Sequence, residues 1–208
     1  MFQPKQIHLG SGVFLIASLS CYADGPDGAA ADSCAKLAVQ VANAGAPPAT
    51  LAQAQAETTR IFREARIVIE WEEYRVSQRA AGCPVRLIVS ILPHATVSAS
   101  DMALGSSGSV VHSLVFLDRI EELARTSGST VVILGHAMAH EIGHLLMGPA
   151  HSEIGLMRPR WDRGDIKTAA RGRLRFTPAQ TEALRARVAQ RADEAGLRAG
   201  RAAGMMKQ

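Results

Sequence analysis

Aromatic residues are scarce in this chain: two Trp, two Tyr and five Phe make up 4% of its 208 residues. With so few rings, and no regular interleaving of them with basic residues, the stacking platform that single-stranded nucleic acid needs is missing, and no nucleic-acid-binding module replaces it. No nucleic-acid partner is therefore expected. The formal net charge of +4 arises mostly after residue 157, where Arg158, Arg160, Arg163, Lys167, Arg171, Arg173 and Arg175 outnumber Asp162 and Asp165. Arginines spread in this way over a loop and a helix read as a solvated face.

Long apolar runs are missing too. Beyond the amino terminus every apolar stretch is broken by charge or glycine before about 18 residues, so no stable membrane span is expected. At the amino terminus Lys5 and His8 precede an apolar run from Leu9 to Leu19, and Cys21-Tyr-Ala23 offers a small-x-small cleavage site. Residues 1–23 read as a signal peptide, and the protein as secreted or periplasmic. Lipid anchoring at Cys21 is an alternative, against which Ser18 stands where a lipoprotein signal usually carries Leu. Only three cysteines occur, and removal of the signal leaves Cys34 and Cys83. An even pair suits one disulfide in an oxidising compartment, the alternative being two buried thiols.

Internal repeats are absent, and the length suits one domain. Residues 24–48, with Gly25-Pro-Asp-Gly28, an alanine-rich stretch and a second break at Ala46-Pro-Pro-Ala49, read as a linker. The single domain is expected over 49–208. Thr50 is a candidate cap for a helix over 50–65, where Leu51, Ala54, Thr58, Ile61, Phe62 and Ala65 recur at helical spacing. Ile67–Trp71, Val85–Ile91 and Ser109–Leu117 read as strands, with a long loop or short edge strand across 94–108. A turn of helix follows at 118–125. Ser127-Gly-Ser-Thr130 offers hydroxyl caps to a helix that runs to about Met147 and stops at Gly148-Pro149. The last helix is expected from about 177, with Pro178 at its first position.

Inside the longer of these helices stands His140-Glu141-Ile142-Gly143-His144. Residues at i and i+4 share a helix face, so both imidazoles can reach one ion at about 2.0–2.1 Å. Glu141 lies about 100° round the helix from His140, where a carboxylate can act on a metal-bound water as general base without ligating the metal. A catalytic zinc usually has three protein ligands. Gly148 lets the chain leave the helix sharply, and His151 follows three residues later as the third candidate. Farther on, Gly155 and Met157 suit a tight turn beneath the site, with methionine as an apolar filler.

His140-Glu-Ile-Gly-His144, Gly148-Pro-Ala-His151 and Gly155-Leu-Met157 resemble the zinc motif and Met-turn of the metzincin metallopeptidases. They are also similar to secreted bacterial proteins with HEIGHLLLG, a later His and a GIM turn. Gly148 comes one residue later after the second histidine than in the metzincin pattern. The resemblance spans about residues 50–160 in element order. It implies a small α+β metzincin-like domain: a mixed twisted sheet of about four strands, a backing helix, an active-site helix, a Met-turn and a carboxy-terminal helix. It also implies one catalytic Zn2+ held by His140, His144 and His151, with Glu141 as base and a peptide or protein as substrate. An edge element among Ala99–Ser109 would pair with extended substrate. The tyrosine that some metzincins carry after the Met-turn has no equivalent, and Arg158 or Arg160 would stabilise the oxyanion instead.

Other assignments stay open on the residues alone. Glu153 or Asp162 could supply a third ligand in place of His151. His136, about 12 Å along the helix from His144, cannot share an ion with it and would be a supporting or solvent-facing residue. His94 and His112 read as ordinary loop or strand histidines, and Trp71 and Trp161 as core or rim aromatics. A zinc-stabilised binding module of the cell envelope without turnover, or an amide or ester hydrolase acting on something other than protein, would use the same ligands.

Overall fold

Strand alternation and helical spacing place most of the elements in the computed structural model, which describes residues 35–74, 86–95, 105–107 and 111–205. The expected signal peptide and Cys21, Cys34 and Cys83 lie outside the described residues. The elements run β1 (Ala35–Asn43), α1 (Pro48–Glu64), β2 (Ile67–Glu73), β3 (Arg86–Leu92), β4 (Gly105–Ser107), β5 (His112–Phe116), α2 (Leu117–Ser127), α3 (Thr130–Met147), α4 (Arg163–Ala170) and α5 (Pro178–Met205). The class is α+β.

The described strands form one sheet in the order β2-β1-β3-β5-β4. β2, β1, β3 and β5 are parallel, and β4 closes one edge antiparallel to β5. This corrects the reading of residues 24–48 as linker, because Ala35–Asn43 is an inner strand paired on both sides. Leu37, Val39 and Val41 do alternate, but the intervening Ala38 and Gln40 are buried as well, so alanine-rich composition hides a strand covered on both faces.

Two cap assignments are also corrected. Helix α1 starts at Pro48, which leaves Thr50 inside its first turn, and no side chain caps it. Ser129 occupies the extended N-cap position of α3 without a side-chain cap bond. Helix α4, an element not expected from the sequence, is stopped upstream by a reciprocal capping box between Asp162 and Asp165.

Helices α1 and α3 pack against each other. The contact is close at Gly135, where an added Cβ would stand 2.9 Å from the Ala54 carbonyl oxygen and 2.8 Å from Glu57 Cβ. The Thr58 hydroxyl donates to the Gly135 carbonyl across this contact at 2.9 Å. Ile133, Leu134, Met138 and Ile142 of α3 join Phe62, Ile67, Leu87, Val89, Ile91 and Val115 in the core. By length and composition α3 is apolar enough to cross a membrane, yet two thirds of it is buried inside the protein. It is the core helix that carries the histidines.

Candidate metal centre

His140 and His144 stand one turn apart near the end of α3, half-buried, and the chain beyond them is shaped to return. Gly148 takes φ +96°, a conformation L side chains rarely adopt, and its N–H bonds the His144 carbonyl at 2.8 Å. Three residues on, the His151 ring comes back against the helix end. The Nε2 atoms of His140 and His144 are 2.9 Å apart, and those of His144 and His151 are 3.2 Å apart. Two nitrogens on one tetrahedral zinc would be separated by about 3.3 Å.

The tautomers decide what this closeness means. His140 Nδ1 donates to the Leu156 carbonyl at 2.9 Å, and His144 Nδ1 donates to the Gly148 carbonyl at 3.0 Å. A carbonyl only accepts, so both Nδ1 atoms carry protons, and in neutral rings both Nε2 atoms present lone pairs to each other. Two lone pairs at 2.9 Å repel unless a cation lies between them. Burial first of all pushes the His140 pKa down to about 4; the Leu156 carbonyl opposes this, while His144 and His151 add to it. Burial and the His144 charge also lower that of His151. His140 and His151 are thus made poorer proton acceptors than free imidazoles, and the donor set fits a metal ion. Among the described residues these three histidines are the group able to hold one.

Glu141 stands about 100° round the helix from His140. It is 5% exposed, and its Oε2 accepts from the Ser113 hydroxyl at 2.6 Å. Ser113 stands on β5 in the row of Val41 and Val89, a polar side chain at an apolar position of the sheet. Sequence reasoning missed it, and its only signal is a serine breaking that row. The Leu156 and Gly148 carbonyls were missed as well, since backbone acceptors carry no residue-type signal.

Beneath the rings, Gly155 takes φ +77°, and an added Cβ would meet the Arg175 carbonyl at 2.8 Å. Only glycine allows Leu156 N–H to bond that carbonyl, also at 2.8 Å. Met157 is buried, with its sulfur 2.7 Å from the position a Cβ would take on Gly143. Trp161 Nε1 donates to the Leu156 carbonyl at 3.1 Å, and its ring meets those of His140 and His136 edge-on.

The other candidates sort plainly. The Arg158 guanidinium donates to Asp162 and Asp165, and Asp162 caps α4 and is not among the grouped metal-ligand candidates. Arg160 and Glu153 are exposed. His136 is not solvent-facing: it is fully buried, with Nδ1 bonded to the Val132 carbonyl at 2.8 Å and Glu57 3.7 Å away. His112 bonds the Ser90 hydroxyl at 2.8 Å, and His94 lies exposed beside Asp118.

No protein-family pattern matches the chain, and no curated protein matches it. Solved structures do. The fold is similar to that of archaemetzincin from Methanopyrus kandleri, with a TM-score of 0.53 and 12% identity over 74% of this chain and 96% of that one. It is also similar to a zinc-dependent peptidase from Methanocorpusculum labreanum, with a TM-score of 0.50 and 12% identity over 70% of this chain and 99% of the other. At this identity the likeness establishes a shared fold, and the chemistry rests on the residues.

Proposed function

We propose that the chain is a zinc-dependent peptidase in which His140, His144 and His151 hold one ion and Glu141 is the general base. The observation that carries this reading is the convergence of three Nε2 atoms, two of them in rings whose Nδ1 protons are already given to carbonyls. When bound, zinc supplies Lewis acidity and lowers the pKa of a coordinated water to about 7. Glu141 would serve as the general base, holding the proton of the attacking water and passing it to the leaving amine. Ser113, bonded to Oε2, fixes the side-chain rotamer of the base.

The remaining parts follow the same reading. Gly155-Leu-Met157 serves as a Met-turn, with Met157 filling the space under Gly143. The backbone of β4 offers an extended peptide an outer strand to pair with. With Arg158 committed to α4, Arg160 is the candidate for steadying the oxyanion. Export through the signal at residues 1–23 would deliver the protein to a secreted or periplasmic setting.

The test is a zinc-loaded sample against casein and a peptide library, with a chelator control. Glu141→Ala should keep one zinc per chain and lose about 10²–10⁴-fold in turnover. A variant as fast as the parent sinks the assignment. A parent that binds zinc and cuts no peptide would favour instead the zinc-stabilised binding module, or a hydrolase of non-protein amides or esters.

A further inference from the structure

His151 is the exposed member of the triad, and its place depends on a loop that is tied to α5 from outside. The tie begins at the helix start. Thr177 and Gln180 form a reciprocal cap: the Gln180 N–H donates to Thr177 Oγ1 at 3.3 Å, and the Thr177 N–H donates to Gln180 Oε1 at 2.9 Å. Because Oε1 is occupied by a backbone donor, the Gln180 amide nitrogen must face the other way. There it donates to Ser152 Oγ at 2.9 Å, and the Ser152 hydroxyl passes its own proton to the Ile154 carbonyl at 2.7 Å.

Ser152 is the residue after His151. Its N–H bonds the Met157 carbonyl at 2.9 Å, which closes the loop on itself. The Gln180 to Ser152 bond is a side-chain hydrogen bond that links that closed loop to α5.

We infer that Gln180 is a positioning residue for the third metal ligand, acting through Ser152 to hold the loop on which His151 is carried. The inference rests on the zinc-site reading above. It assigns to the first turn of α5 a share in metal affinity, although no residue of that helix is a ligand. A ligand on a free loop must be ordered when the ion binds, whereas a clamped loop has that entropy removed at folding. Partners that orient a ligand from outside the first ring of donors typically change metal affinity by about 10–100-fold.

Zinc affinity measured by competition with a chromophoric chelator tests this. Ser152→Ala removes the clamp from the loop side and leaves the Thr177 to Gln180 cap intact. It should weaken zinc about tenfold without moving the melting temperature of the zinc-free protein. Ser152→Thr, which keeps the hydroxyl, should restore the affinity. Gln180→Ala should weaken zinc to a similar degree, and the double variant should be no worse than either single one. In a His151→Ala background, where the clamp has no ligand to hold, Ser152→Ala should have no further effect. The inference is overturned if Ser152→Ala stays within about twofold of the parent, if the two single effects add, or if the Ser152 effect persists without His151. A parent that takes up no zinc overturns both this and the zinc-site reading, whereas a zinc-binding parent with indifferent variants overturns the clamp alone.

Discussion

His140 and His144 ride on a helix whose inner residues lie in the core, while His151 hangs from an exposed loop that follows a left-handed glycine. The helical pair needs little beyond local geometry to form, since four residues of α-helix bring two rings onto one face and the Gly148 carbonyl at the helix end fixes the His144 tautomer, while the loop contributes the Leu156 carbonyl to His140. The third ring has no such frame. Its position comes from contacts made by other parts of the chain, at Arg175 and Gln180. One site therefore joins a locally encoded half to a tertiary half, and the two should fail differently.

The largest effect expected is on zinc. His140→Ala should abolish stoichiometric zinc, because it breaks the helical pair that begins the site. His151→Ala should keep residual binding, weakened beyond the roughly 10–100-fold that supporting residues cost. Equal affinities for the two variants in a chelator competition would erase the proposed difference between the halves.

Acid provides the next test. His140 is held neutral in the folded, zinc-free protein down to about pH 4, against an ordinary value of 6.5. Between those values the unfolded chain binds a proton that the native state refuses, so stability is complete above about pH 6.5 and is lost as pH falls towards 4. The loss should be on the order of 3 kcal/mol in urea unfolding of chelated protein. His140→Gln should flatten most of that dependence, and a variant with the parent's slope would put its origin elsewhere, for instance at buried His136, whose pKa burial also lowers.

A smaller effect should appear where the loop docks on the helix. Gly143→Ala places a Cβ 2.7 Å from the Met157 sulfur and 3.1 Å from Phe176. Because the sulfur is near the end of a flexible side chain, the expected loss is about 1–3 kcal/mol by denaturant unfolding, with zinc weakened in parallel. A fully stable variant with parental affinity would show that the loop does not depend on this packing.

The smallest effect belongs to the outer side of the loop. Ile154 is 68% exposed, so Ile154→Ser should change stability by less than about 0.5 kcal/mol. A larger loss by the same measurement would mean that the loop is held from a side the structure leaves open.

Legibility in the sequence follows the same division. Helix α1 and strands β2, β3 and β5 could be read from spacing, because each repeats its own pattern along the chain, and α3 and α5 from the residues at their ends; the edge element where β4 lies was expected from a pattern-poor stretch and the family resemblance. Strand β1 carries its alternation in Leu37, Val39 and Val41, but the alanine-rich composition around it masks that signal, and burial of Ala38 and Gln40 comes only from the tertiary structure. Helix α4 is short and weakly patterned, and its signal is the pair Asp162 and Asp165, which composition counts as charge and the structure uses as a cap.

The sequence by itself determined the chemical types and their order: two histidines a turn apart with a carboxylate between them, a glycine able to leave the helix, a third histidine and a methionine. That much is local, since periodicity and conformational preference act over a few residues. Only the tertiary structure decided that the ring at 151 faces the other two, that Glu141 bonds a serine on β5, and that a cap on α5 reaches the loop. Those facts depend on distances between segments far apart in the chain, which packing of the whole core sets and no short window of residues contains.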